Sequence, residues 1–158
     1  MATLMLSATL LLALTACAGG PTVSEQPTSN ASVDRQEAEE RVSDVQRRII
    51  EAFPSGSVAE TKTGSWTLLS CSEGEVQSSI GADLILAKSV PVDATYSSMM
   101  RGLEGDGYTA ERGETSHGPR LVVTGKRNDQ YFVSILNDTK RVQISSFSQC
   151  FRGTLTDG

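Results

Sequence analysis

Apolar side chains recur at every third or fourth position in the segment between Asp34 and Pro54. The apolar set is Val42, Val45, Ile49, Ala52 and Phe53. This spacing is the period of an α-helix with one buried face. Asp34 and Glu37 fit an N-cap residue and its N3 partner, and Pro54 and Gly56 end the helix. The pattern therefore predicts an amphipathic helix that packs on a sheet.

The middle of the chain predicts two strands and then a second helix. After a polar connection, residues 65–71 and 83–90 have the composition of strands, and the polar run at 72–81 predicts a loop between them. Asp93 fits the N-cap of a short helix. The apolar side of that helix carries Tyr96, Met99, Met100 and Leu103.

The last third of the chain predicts antiparallel strands joined by short turns. Strands are predicted at 108–112 and 120–126, followed by two-residue turns at Asn128-Asp129 and Asp138-Thr139. Since each turn fixes the register of the strands it joins, the two turns together predict a meander.

This register sorts the apolar side chains onto two faces. Pairing outward from the first turn sets Val122 opposite Ile135, and the second turn sets Ile135 opposite Val142. One face then carries Val122, Val133, Ile135, Val142 and Ile144. The opposite face carries Leu121, Val123, Phe132, Leu136 and Phe147. That face is too apolar for a purely solvated one, so either a second layer covers it or Phe132, Leu136 and Phe147 form an interaction surface.

The order of elements is helix, two strands, helix, four strands. It predicts an α+β fold of two layers, in which the helices pack on one face of an antiparallel sheet. The predicted domain covers residues 34–152, with a tail at 153–158.

The N-terminal segment has a different character. An uncharged apolar stretch runs to Leu14 and ends in Leu14-Thr15-Ala16-Cys17, which resembles the lipobox of bacterial lipoproteins. The stretch is shorter than the roughly 20 residues that span a membrane, and it departs from the usual leader in having no Lys or Arg. The resemblance implies that residues 1–16 are removed as a signal peptide. It also implies that Cys17 receives diacylglycerol, with palmitate-type acyl chains that hold the protein in the membrane.

Residues 17–33 are rich in Ser, Thr, Pro and Gly and have no apolar period. Such a composition predicts a flexible linker between the lipid and the domain. The location implied is the extracytoplasmic face of the cell membrane.

The three cysteines are consistent with export. With Cys17 lipidated, Cys71 and Cys150 remain and are predicted to form a disulfide, which persists outside the cytoplasm. Two buried free thiols are the alternative. No metal site is predicted, because the single histidine, His117, lies in a Gly/Pro loop without a second ligand motif.

Composition and motifs narrow the function classes. The formal net charge of −5 disfavours nucleic acid as a partner. The motifs of nucleophilic or metal-dependent hydrolases and of phosphate-binding loops are missing from the sequence, so neither an enzyme nor a cofactor is predicted. We expect a non-catalytic module that binds an envelope protein or lipid. The alternatives are a lipid or glycolipid carrier, a chaperone-like envelope component and, third, an enzyme.

A further resemblance concerns residues 34–152. Trp66 lies five residues before Cys71, Cys150 lies near the C-terminus, and the element order is that given above. These features together resemble the small LppA-like lipoproteins of the actinobacterial cell envelope. The resemblance implies an envelope location.

Overall fold

Helix α1 spans Arg35–Glu51 in the computed structural model, which describes residues 33–157. Asp34 is the N-cap, and its carboxylate accepts a hydrogen bond of 2.8 Å from the backbone N–H of Glu37. The Glu37 carboxylate pairs forward along the helix with Arg41, at 2.8 Å. The buried residues of α1 are Ala38, Val42, Val45, Gln46 and Ile49. The predicted helix, its N-cap and its apolar face are confirmed.

The predictions for the N-terminal segment lie outside the described residues. They concern the leader at 1–16, the lipidated Cys17 and the linker at 17–33, of which the structure describes Val33 alone. Neither helix of the described part is both long and apolar enough to cross a membrane.

The longest strand of the sheet is β3, Glu75–Leu86, with 12 residues. One edge of β3 pairs with β1 (Val58–Thr63) and then with β2 (Thr67–Ser72). The other edge pairs with β7 (Arg141–Phe147) and with the two-residue strand β8 (Phe151–Arg152). Since buried and less buried side chains alternate along β3, each of its residues points to one face of the sheet.

Three more strands extend the sheet beyond β7. They are β4 (Thr109–Thr115), β5 (Gly118–Thr124) and β6 (Gln130–Leu136). The order across the sheet is β1-β3-β7-β6-β5-β4, and all pairings are antiparallel. Helix α2, Val92–Glu104, connects β3 with β4, and a 3₁₀ helix, Leu155–Asp157, follows β8.

Both helices pack on the same face of the sheet. The helices contribute Val42, Val45, Ile49, Tyr96, Met99 and Leu103 to the core. The sheet contributes Leu84, Leu121, Val123, Tyr131, Val133, Val142 and Ile144, among others. The predicted α+β fold, with two helices on one face of an antiparallel sheet, is confirmed.

The register between β6 and β7 agrees with the sequence prediction. Ile135 lies opposite Val142, and Val133 lies opposite Ile144. All four side chains are buried on the helix-covered face. The turn at Asp138-Thr139 therefore identified the correct pairing.

The predicted register between β5 and β6 is wrong. Val122 lies opposite Phe132 and not opposite Ile135. A shift by an odd number of positions moves every side chain of a strand to the other face. As a result, Leu121 and Val123 are buried in the core, while Val122 lies on the outer face with Phe132.

The cause of this error is the length of the turn. The chain turns over five residues, from Gly125 to Asp129, because the backbone N–H of Gly125 donates to the Asp129 carbonyl at 2.9 Å. Asn128 adopts a left-handed conformation with φ of 64°. A Cβ on residue 125 would lie 2.1 Å from Asp129 Oδ1, so only glycine leaves room for that carboxylate.

Two segments predicted as connections are strands. The polar connection before residue 65 contains β1, and the predicted loop at 72–81 contains the first half of β3. The apolar alternation of β3 is hidden because a serine occupies a buried position. Ser78 Oγ donates to Glu39 Oε1 at 2.7 Å, and its backbone N–H donates to Ser148 Oγ at 2.9 Å. These hydrogen bonds satisfy the polar groups of Ser78 in the protein interior. Composition alone does not reveal that this serine is buried.

Helix α2 also begins earlier than predicted. Its N-cap is Pro91, so Asp93 lies in the first turn and not at the cap. There the Asp93 carboxylate pairs with Arg112 of β4 at 2.6 Å. This ion pair links the start of α2 to the sheet.

Cys71 and Cys150 form a disulfide, as predicted, with Cα atoms 6.2 Å apart. Cys71 lies where the register of β2 shifts between Ser70 and Ser72. Cys150 lies in the break between β7 and β8. The bond therefore links β2 to the β7–β8 connection, on either side of the first half of β3.

Candidate functional site

The outer face of the sheet, opposite the helices, carries the three residues predicted as an interaction surface. Phe132 and Leu136 project from β6, and Phe147 projects from the end of β7. Each of the three is half-buried, so none belongs to the closed core. Neighbouring positions on this face are exposed, namely Gly81, Gln143 and Ser145. No described element therefore covers the centre of this face.

A shallow hollow of about 240 Å³ lies on this face. We call it the outer hollow, and it is lined by Arg120, Phe132, Ser134, Gln143, Ser145 and Phe147. The rings of Phe132 and Phe147 meet edge to face, with centroids 5.7 Å apart. The lining thus has an aromatic part and a polar part side by side.

Arg120 provides the charge in the outer hollow. Its guanidinium carbon lies 5.8 Å from the centroid of the Phe132 ring, and its Nε donates to Ser134 Oγ at 3.2 Å. These two contacts orient the side chain across the sheet, from β5 toward β6. The guanidinium is therefore fixed beside the aromatic pair.

Arg120 differs from the other half-buried arginines of the described chain. Arg35, Arg41 and Arg48 each pair with a carboxylate. Arg120 has no ion pair within 4 Å in the part of the chain that the structure describes, although Glu111 lies on the same face opposite Val122. A partly desolvated cation without a counter-ion favours an anionic ligand.

Leu136 shares the outer face with the hollow but does not line it. It lies opposite Arg141, whose Nη2 is 3.3 Å from Asp83 Oδ1. Of the three residues predicted for the surface, the structure brings Phe132 and Phe147 together and leaves Leu136 apart. The sequence prediction missed Arg120, because the predicted β5 register places it on the opposite face of the sheet from Phe132. Ser134, Gln143 and Ser145 lie on the predicted outer face, but the prediction did not include these polar residues in the surface.

Two other depressions flank α1. One is lined by polar and charged side chains of the helix together with Trp66, and the other by Ile50, Thr61, Thr63 and Ile80 beside the helix. Most of the charged side chains there pair within α1, as Arg47 does with Asp44 and Glu51. Glu40 accepts a hydrogen bond from Gln36 at 2.8 Å. Since these groups already have partners within the helix at an exposed surface, neither depression favours a particular ligand.

A buried polar cluster lies beneath the turn at 125–129. The Tyr131 hydroxyl donates to Asp129 Oδ2 at 3.0 Å, and the Tyr108 and Tyr131 rings meet edge to face at 6.1 Å. Burial, and next the nearby Asp129 carboxylate, raise the pKa of Tyr108 to about 12. The same two causes, in the same order, raise the pKa of Tyr131. The Tyr131 hydroxyl and the Asp129 carboxylate are hydrogen-bond partners inside the fold, so we assign this cluster a structural role.

His117 lies on the exposed turn between β4 and β5. Its Nδ1 is 3.0 Å from Ser116 Oγ, which brings together a hydroxyl and an imidazole. An activated serine also needs a base oriented by a third group. Within residues 33–157, no hydrogen bond or ion pair joins the His117 ring to a carboxylate. No group of three or more His, Cys, Asp or Glu side chains in the same range is placed to hold a metal ion.

Comparisons with known proteins add nothing to this geometry. No protein-family model matches the chain, and searches of curated proteins and of solved structures found no match. The resemblance to LppA-like lipoproteins stays a prediction. The functional argument therefore depends on the outer face itself.

Proposed function

We propose that this chain is a lipid-anchored, non-catalytic domain on the extracytoplasmic face of a bacterial membrane, where it binds a partner through the outer hollow. The observation that carries this proposal is the half-buried Phe132–Phe147 pair beside Arg120 on a sheet face that no described element covers. Aromatic residues and arginine are the types most enriched at the centres of protein interfaces.

The anchor makes a modest contact sufficient. A lipid on Cys17 and a linker at 17–33 confine the domain to a thin layer beside the membrane. Confinement raises the local concentration of the domain near any partner in that layer, so a weak contact becomes effective. The lipobox resemblance and the linker composition support this part of the proposal.

The chemistry of the outer hollow favours a partner-binding domain over a lipid or glycolipid carrier. A carrier needs an apolar channel long enough to shield an acyl chain. The outer hollow is shallow, and its lining includes a guanidinium, two hydroxyls and an amide. At about 240 Å³ it is smaller than the ~300–1,000 Å³ typical of pockets for whole small molecules. Its size fits a single side chain of a partner.

Photocrosslinking in the native envelope tests the proposal. A photoreactive phenylalanine analogue is placed at Phe147, and a matched control carries it at Trp66, a half-buried aromatic beside α1. We expect a discrete crosslinked species from position 147 and none, or a different one, from position 66. The same products from both positions, or no product from 147 in correctly localised protein, would contradict the proposal.

A further inference from the structure

We infer that the outer hollow recognises a carboxylate that lies next to an aromatic or aliphatic group, presented by an acidic side chain on an exposed segment of a partner protein. The inference rests on the proposed function and specifies the chemistry of the same site. It depends on the charge, the free hydrogen-bonding groups and the size of the hollow.

The charge comes from Arg120 and is not neutralised within the described chain. The whole sequence has a formal net charge of −5, yet the half-buried Arg120 has no carboxylate within 4 Å among residues 33–157. Partial burial removes water from a cation, and a bound anion replaces that lost hydration. A carboxylate on the partner would complete the pair.

The hydrogen-bonding groups suit a planar oxyanion. Of the five N–H donors of a guanidinium, the contact with Ser134 uses the one on Nε. The two terminal nitrogens make no hydrogen bond to any described residue, and they form the fork that binds both oxygens of a carboxylate. The Ser145 hydroxyl and the Gln143 amide, both exposed, are likewise without a partner in the described part.

The aromatic side of the hollow determines what accompanies the carboxylate. Phe132 lies under the guanidinium and contacts Phe147 edge to face, so an apolar group can pack on the two rings while its carboxylate reaches Arg120. The small volume restricts the ligand to a fragment of this kind. An acidic residue beside an apolar one in a partner segment supplies both parts at once.

Three small probes separate the contributions. The full-length protein in detergent is titrated with phenylacetate, phenylacetamide and phenyl phosphate while NMR follows the Arg120 Nε–H and the Phe132 and Phe147 rings. We expect phenylacetate to bind at least tenfold more tightly than phenylacetamide. Since this comparison uses the wild-type sequence, it does not depend on how any variant folds.

Variants then assign the effect to one side chain. Arg120→Gln should remove the preference for the acid, whereas Arg101→Gln, at an exposed arginine of α2, should leave it unchanged. Equal binding of acid and amide, or a preference that survives Arg120→Gln, would overturn the inference. Tighter binding of phenyl phosphate than of phenylacetate would also overturn it and would show that the hollow prefers a phosphate group to a carboxylate. The crosslink from position 147 is a separate result, so it can stand when the inference fails.

Discussion

At the scale of single residues, a few polar groups determine how the sheet is aligned. Asp129 is 3% exposed, and its carboxylate occupies the space above Gly125 while it accepts the Tyr131 hydroxyl. This arrangement fixes the five-residue turn and, through it, the register of β5 on β6. The position of Arg120 beside Phe132 therefore depends on a buried carboxylate in a turn.

Replacing Asp129 with alanine tests how much this buried carboxylate stabilises the fold. The change leaves the buried Tyr131 hydroxyl without its acceptor, so we expect the free energy of unfolding to fall by about 1–3 kcal/mol. Asp138→Ala, in the exposed β6–β7 turn, is the control and should change it by no more than about 0.5 kcal/mol. Urea denaturation measures both, and equal effects would show that the buried contact is unimportant.

The three tyrosines give a second prediction at this scale. Burial is the first cause that raises the pKa of Tyr96, Tyr108 and Tyr131 above the ordinary value of about 10. A raised pKa in the folded state means that folding favours the neutral phenol. The contribution of these tyrosines to the free energy of unfolding is therefore fully present below about pH 10 and is lost as the pH rises. For Tyr108 the loss takes place between about pH 10 and about pH 12.

Two measurements check the tyrosine prediction. Phenolate absorbance should show no tyrosine titrating near pH 10 in the folded protein, while all three titrate there in concentrated urea. The urea midpoint should be lower at about pH 11 than at about pH 9. A folded-state titration that matches the unfolded one would be evidence that the phenols are not buried.

At the scale of elements, the sequence predicts those structures whose signal is local. Helix α1 has a clear period and a carboxylate cap, and the short Asp138-Thr139 turn defines the β6–β7 register. The first half of β3 was missed because buried Ser78 interrupts its apolar alternation, and its partners Glu39 and Ser148 are distant in sequence. Long-range hydrogen bonds of this kind leave no local pattern.

The disulfide is the covalent link between elements, and its removal should be costly. Cys71 and Cys150 are 79 positions apart, and a loop of that length is worth roughly 4–5 kcal/mol in the chain-entropy treatment. We expect reductant, or the double variant Cys71→Ala with Cys150→Ala, to lower the urea midpoint substantially. An unchanged midpoint on reduction, with both thiols shown to be free, would mean that the bond contributes little.

At the scale of the whole molecule, the sequence predicted part of the candidate site. Phe132 and Phe147 were found because apolar residues at outward positions of a strand are conspicuous. Arg120 was not found, because its neighbours depend on a register set by the buried Asp129. The predicted attachment signal at Cys17 is a local sequence pattern, whereas a site assembled from β5, β6 and β7 depends on the fold.

The proposed anchor has its own test. In a bacterial host fed a radiolabelled fatty acid, we expect the wild-type chain to be labelled and to fractionate with membranes. Cys17→Ser should lose both properties, since stable attachment depends on the acyl chains. Ser24→Ala, in the predicted linker, is the control and should keep both properties. Equal labelling of the wild type and Cys17→Ser would rule out lipidation at this residue.

Radical footprinting of the outer face tests the central claim most directly. Hydroxyl-radical oxidation of Phe132 and Phe147 is compared between the native envelope and the purified full-length protein, with Leu155, 57% exposed, as the internal reference. If the outer hollow binds a partner, both phenylalanines will be oxidised severalfold more slowly in the envelope while Leu155 changes little. Equal oxidation of Phe132 and Phe147 relative to Leu155 in the two samples would contradict the account.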